Sequence, residues 1–196
     1  MPESFLGDGL IFEDWMPLAW TAGPLAQGPT LARLNADNHQ LLGAESSLDE
    51  VRVSEALKEE SPALQHELQR LEYKLNILLR LTAELAARSN PLPAAHRTRL
   101  ASCGAEWFGA AAPPSGSTGL LSLYINAALP QPLKIPGTIA AERLQEGERV
   151  AQLRFSGLSD AVVQMLDKLI FRHHRRLIAG AKVAASPASP LSSSSA

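Results

Sequence analysis

The chain contains a single cysteine, Cys103, so no intrachain disulfide can form, and no group of Cys and His has the spacing of a structural zinc site. Long apolar runs are missing too. Arg80 and Glu84 interrupt the most apolar stretch, which predicts no membrane span. The first residues, MPESFLGDGL, carry acids where a secretion signal would carry positive charge. These features predict a cytoplasmic protein. Catalytic motifs are equally scarce. There is no glycine-rich loop ending in Lys-Ser or Lys-Thr, no HExxH and no GxSxG, so no enzymatic role, catalytic residue or metal ligand is expected. Gly116-Ser117-Thr118-Gly119 lacks the phosphate-loop lysine and reads as a turn. Cys103 and His96 form no supported nucleophile–base pair, and a buried cysteine is expected.

Aromatics make up only 5% of the 196 residues, but 45% are hydrophobic and 19% charged, a balance suited to a folded core. The net charge of −2 hides an asymmetry. Residues 1–60 hold 3 basic and 11 acidic side chains, and residues 61–196 hold 15 basic and 9 acidic. Neither part is basic enough to predict nucleic-acid binding. The two parts can attract each other, within or between chains.

Four regions differ in composition. Residues 1–45 mix apolar residues, Trp15 and Trp20 among them, with acids. They read as an N-terminal strap, partly ordered, lying over the core or serving as a docking peptide. Gly23 to Pro29 reads as a loop. Residues 46–89 read as helix, started by a Ser47/Glu50 capping box, started or restarted at Ser61-Pro62, and ended by Ser89-Asn90-Pro91. In residues 90–180 short alternating segments dominate. Leu121, Leu123 and Ile125 face opposite to Ser122, Tyr124 and Asn126, and about five such strands predict a small antiparallel barrel or sandwich. A helix follows over 158–179, with Val162, Leu166, Leu169 and Ile170 on one face. The tail 181–196, rich in Ser and Pro, is predicted disordered.

The most regular signal is a heptad. Leu68, Leu75 and Thr82 occupy a positions, and Leu64, Leu71, Leu78 and Leu85 occupy d positions. The flanking e and g positions begin polar, with Glu67, Glu72 and Lys74, and become apolar at Leu79 and Leu81. A seam widened in this way suits a bundle of three or four helices. It can pack on its own domain or on sister subunits. A helix of about 25 residues is roughly 38 Å long and overhangs a small domain, which favours self-association. Burying six leucines would contribute on the order of 9–18 kcal/mol before entropy costs.

The basic run Arg172-His173-His174-Arg175-Arg176 lies where cations meet the negative end of the last helix's dipole. It reads either as a solvated face with one histidine turned inward or as an anion or acidic-partner site built on Arg172, Arg175 and Arg176. The acidic segment 45–60 is one candidate partner.

The strand-rich part resembles a PilZ domain, a six-stranded barrel with a C-terminal helix. The resemblance spans roughly residues 90–180. It rests on Arg99-Leu100-Ala101-Ser102-Cys103-Gly104-Ala105-Glu106-Trp107-Phe108, on Leu133-Lys134-Ile135-Pro136-Gly137-Thr138-Ile139, on Val150 to Leu158, and on Leu169 to Arg176. The whole chain, with its Ile11-Phe12-Glu13-Asp14 start and its heptads, is similar to atypical PilZ proteins of gamma-proteobacteria such as xanthomonads, some of which form tetramers through long helices. The resemblance implies an α+β fold, a PilZ-like barrel with a long heptad helix forming an oligomeric bundle. It also implies a homo-oligomer, tetramer favoured, an unidentified protein partner, and a place in cyclic di-GMP-linked processes such as motility, pili or virulence. Typical PilZ domains bind cyclic di-GMP through an Arg-x3-Arg loop and an [Asp/Asn]-x-Ser-x2-Gly strand motif. With Gly104 as the motif glycine, Arg99 replaces the acidic or amide residue and Ala101 the serine, and residues 80–97 hold no Arg-x3-Arg. Two phosphates and two guanines need paired guanidiniums and short polar side chains, so cyclic di-GMP is not expected as a ligand. The alternative is a receptor with a rearranged arginine site.

Overall fold

The computed structural model describes residues 5–7, 9–50, 62–89, 91–109, 113–126, 131–145 and 147–184. Six antiparallel strands close a barrel: β1 (Phe12–Ala22), β2 (Ala95–Ala101), β3 (Gly104–Phe108), β4 (Thr118–Leu123), β5 (Leu133–Gln145) and β6 (Glu148–Phe155), in the spatial order β1-β2-β3-β6-β5-β4. Three helices accompany it: α1 (Gly28–Glu50), α2 (Pro62–Ser89) and α3 (Asp160–Ala184). This is the expected α+β, PilZ-like architecture.

The barrel differs from the sequence reading in one strand. The segment taken for a strap supplies β1, whose inward positions Phe12, Met16 and Leu18 are buried. β1 bridges two neighbours: Phe12–Pro17 pairs with β2 and Leu18–Ala22 pairs with β4. Pro17, with no N–H to offer, sits at the changeover. Trp20 turns inward towards Trp107, ring centroids 6.4 Å apart, whereas Trp15 on the outer face is 69% exposed. Leu100, Ala105, Leu121, Leu123, Leu133, Ile135, Ile139 and Leu153 complete the lining. Val162, Leu166, Leu169 and Ile170 of α3 close the core, as their spacing predicts.

Helix α1 was hidden in the sequence. It begins at Gly28-Pro29, inside the expected loop, and runs through Ser47, so Ser47 is not an N-cap. Its inward stripe, Leu31, Asn35, Asn38, Leu42 and Glu45, keeps helical spacing but is more than half polar, which conceals the apolar period. Each polar member has a partner. β5 and β6 pair only from Gly137 onward, which leaves the β5 edge open at Lys134. Asn38, 2% exposed, fills that edge as a strand would: its Nδ2 donates to the Lys134 carbonyl and its Oδ1 accepts from the Lys134 N–H, both at 2.9 Å. Asn35 Nδ2 donates to the Gly157 carbonyl at 2.9 Å, and Asn35 Oδ1 accepts from Ser159 N–H at 2.9 Å. This clamps the turn that enters α3. Gly157 holds φ +73° there, a conformation costly for side-chain-bearing residues. The two helices therefore run side by side in the same direction.

Replacing Asn38 by Leu leaves both Lys134 backbone groups without partners, and we expect a loss of about 2 kcal/mol in urea unfolding. An unchanged midpoint would show that the edge does not need its plug.

Candidate functional site

α2 begins at Pro62 and ends at Ser89, where the Pro and Asn-Pro signals place its ends. Among the described residues it builds no packed face with the barrel, α1 or α3. Its seam points to solvent, with Leu68 47%, Leu71 59%, Leu75 56%, Leu78 59% and Leu85 65% exposed. Thr82, at the a position between them, is exposed and donates its hydroxyl to the Leu79 carbonyl at 2.8 Å. The side chain of Leu64 lies outside the described residues.

The residues matched to the ligand motif lie on the outer face of the β2–β3 hairpin. Arg99 stands opposite Glu106, and Ala101 opposite Gly104. A Cβ on Gly104 would come 2.6 Å from the Leu153 carbonyl, so strand packing alone requires this glycine. Ala101 is buried and has no hydroxyl to present. Arg99 Nη1 donates to Glu106 Oε2 at 2.9 Å, and its Nε lies 3.6 Å from Glu13 Oε2. Gln152 Nε2 donates to the other Glu106 oxygen at 2.7 Å. Arg97 Nε donates to Glu13 Oε1 at 2.7 Å while its guanidinium lies over Phe108. A polar row thus crosses four strands, from Glu13 through Arg99 and Glu106 to Gln152. Glu106 is only 4% exposed, and a buried carboxylate that loses its cation is strongly destabilising. A phosphate approaching Arg99 must compete with that carboxylate. Glu13, Glu106 and Gln152 escaped the sequence reading because they are far from Arg99 in sequence or carry no motif.

His96 and Cys103 lie at opposite ends of β2 and its turn, about 20 Å apart at strand rise, so they form no dyad. Cys103 is exposed in the turn, contrary to expectation, since no strand position faces it inward there. His96 Nδ1 lies 3.1 Å from the Phe108 carbonyl. Among the described residues no set of His, Cys, Asp and Glu is arranged to hold a metal ion, and no helix is long and apolar enough to cross a membrane.

The basic run divides. Arg172 Nη2 meets Glu45 Oε2 at 2.6 Å and its Nη1 donates to Ser46 Oγ at 2.5 Å, which ties α3 to α1. Glu45, at the start of the acidic segment, is therefore Arg172's partner within the chain. His173 turns inward and stacks on Phe12, ring centroids 3.9 Å apart. It borders a cleft of about 280 Å³ shared with Asp14, Asn126 and Arg176. Arg175, Arg176, Leu177 and Ile178 are all exposed. Successive helical residues point about 100° apart, so this end of α3 projects beyond the barrel.

A barrel of this topology, closed by a C-terminal helix and carrying a long outward leucine helix, defines a PilZ-type domain. The family model of the atypical PilZ domain, described as a cyclic di-GMP receptor, matches residues 42–183, and the chain belongs to this family. Among solved structures, a pathogenic protein of Xanthomonas campestris, described as a tetrameric PilZ domain self-assembled through an unusual helical bundle, is 25% identical. It aligns over 88% of this chain and 91% of its own, with a TM-score of 0.70. The Bacillus subtilis inhibitor of motility MotI/DgrA aligns over 42% of this chain and 41% of its own, at 13% identity and a TM-score of 0.36. No curated protein matches the chain.

Burial holds the His173 pKa below the ordinary histidine value, with Arg176 and His174 acting in the same direction and Asp14 and the Glu13 backbone opposing. As pH falls through about 6.5 the unfolded chain takes up this proton before the folded one does, so stability should decrease below that pH. His173→Phe keeps the stack on Phe12 and removes the proton. We expect its thermal midpoint to fall less than the parent's between about pH 7.5 and 5.5, where the ordinary histidine titrates. Equal slopes would contradict this assignment.

Proposed function

We propose that the protein is a non-enzymatic PilZ module that self-assembles through the leucine seam of α2, carries a degenerate cyclic di-GMP site, and acts by protein–protein contacts in cyclic di-GMP-linked signalling such as motility, pili or virulence. The exposed seam carries this reading. A two-sided polar helix needs no such stripe, and an apolar stripe left in water is costly unless another surface covers it. A tetramer is the favoured assembly, because Leu79 and Leu81 widen the seam beyond what two strands use. The reported helical-bundle tetramer of the Xanthomonas protein supports it.

The degenerate ligand motif comprises Arg99, Ala101 and Gly104. The first is held by carboxylates, the second lacks a hydroxyl, and the third is required by packing. The proposed anion or acidic-partner contact of Arg172, Arg175 and Arg176 then centres on the exposed Arg175, since Arg172 is joined to Glu45 within the chain. The family's description as a cyclic di-GMP receptor favours a second reading, a working receptor with a rearranged arginine site.

Light scattering on Leu71→Lys and Leu75→Lys should show dissociation, since each places a charge in the buried seam, while Lys74→Ala should leave the mass unchanged. A parent protein that is monomeric at micromolar concentration rejects self-assembly. Titration calorimetry should show no cyclic di-GMP binding at micromolar concentration, and a clear isotherm selects the receptor reading.

A further inference from the structure

An open groove of about 720 Å³ separates α1 from α2. Leu41, Ala44, Leu79 and Pro132 line it, and Asp37 and Lys134 also border it, one anion and one cation. On α2, Leu79 and Thr82 belong to the edge of the seam that faces this groove. The opposite edge is apolar as well: Ile77 is 37% and Leu81 47% exposed, at c and g positions that an a/d seam does not need. Arg80 and Glu84, an ion pair with N···O 3.6 Å, flank that edge. Ile77, Leu79, Leu81 and Thr82 span about 8 Å of helix axis, so both edges lie at the same level.

We infer that in the assembly the Ile77–Leu81 edge of one copy's α2 seats in the α1–α2 groove of the next copy, so that α1 is part of the interface. This rests on the self-assembly reading and extends it. The groove is continuous with the seam, since Leu79 and Thr82 belong to both, so whatever covers one reaches the other. Arg80 and Glu84 bring opposite charges to Asp37 and Lys134 at the rim. One edge engaging a different surface is a heterologous contact, which closes under rotational symmetry into a ring. Because groove and edge sit at one level, the ring places its α2 helices parallel and in register. An isologous antiparallel pair would instead bring like edges together, groove edge against groove edge.

The test uses the full chain with Ile77→Lys, Ala44→Arg and the seam variant Leu75→Lys, each checked for unchanged circular dichroism. Ile77→Lys and Ala44→Arg, both at exposed positions, should each weaken assembly by about tenfold or more in concentration-dependent light scattering, as central interface residues do. Ile77→Lys combined with Ala44→Glu should recover most of the loss. If Leu75→Lys dissociates the protein while Ile77→Lys and Ala44→Arg assemble like the parent, the groove contact is wrong and the seam stands. If none of the three changes the mass, self-assembly through α2 is itself wrong. In a Cys103→Ser background, mixing Ile77→Cys and Ala44→Cys chains with a short bis-maleimide should yield a heterodimer adduct. An adduct no more abundant than with Cys at exposed Arg33 overturns the inference.

Discussion

A barrel whose strands diverge must satisfy the backbone groups left at the gap. Here β5 separates from β6 before Gly137, and the N–H and C=O of Lys134 face an open edge. Another strand would invite pairing between molecules. The chain closes the edge with the side-chain amide of Asn38 instead. Because an amide carries one donor and one acceptor in nearly the peptide geometry, it can replace a ladder residue without extending the sheet. The helix carrying it is thereby pinned to the barrel, Asn35 fixes it to the α3 turn, and the Glu45–Arg172 pair fixes its far end. α1 is thus held by polar contacts at three levels, and among its described side chains Leu41 and Leu42 are the buried hydrophobes.

That docking has a consequence for α2. α1 is anchored along α3, and α2 begins at Pro62. Among the described residues, α2 nears the barrel where Leu79 and Thr82 share an open groove with Pro132 and Lys134, and the chain then enters β2. Among the described residues α2 lays none of its leucines on the core, which is filled by the six strands, α1 and α3. The apolar stripe is surplus to the needs of one chain, and this surplus is the physical basis for reading it as an interface.

The outer face of the β2–β3 hairpin follows a different logic. The row Glu13, Arg99, Glu106, Gln152 satisfies itself across four strands. Such a face is closed electrostatically: each guanidinium already faces carboxylate, and Glu106 is buried. Its resemblance to a ligand motif lies in one glycine, and that glycine is explained by the approach of the Leu153 carbonyl.

Several elements were legible without coordinates. The α2 seam and its Pro62 start, the inward face of α3, and the alternation in β4 all came from residues a few positions apart. Helical and strand periods are local, and they survive any tertiary arrangement. β1 was harder. Its pattern of Phe12, Met16 and Leu18 is interrupted by Asp14 and by Pro17 at the point where it changes partners. Before residue 46, α1 could not be read, since Asn35, Asn38 and Glu45 look like surface residues until Lys134, Gly157, Ser159 and Arg172 are placed beside them. The sequence by itself therefore determined the helices and strands whose signal is apolar and periodic, and with them the presence of a leucine-heptad helix. Tertiary structure alone decided the barrel's closing strand, the docking of α1 and the carboxylate–arginine row. Those depend on directional hydrogen bonds and ion pairs between distant residues, and polar complementarity leaves no periodic trace along a chain.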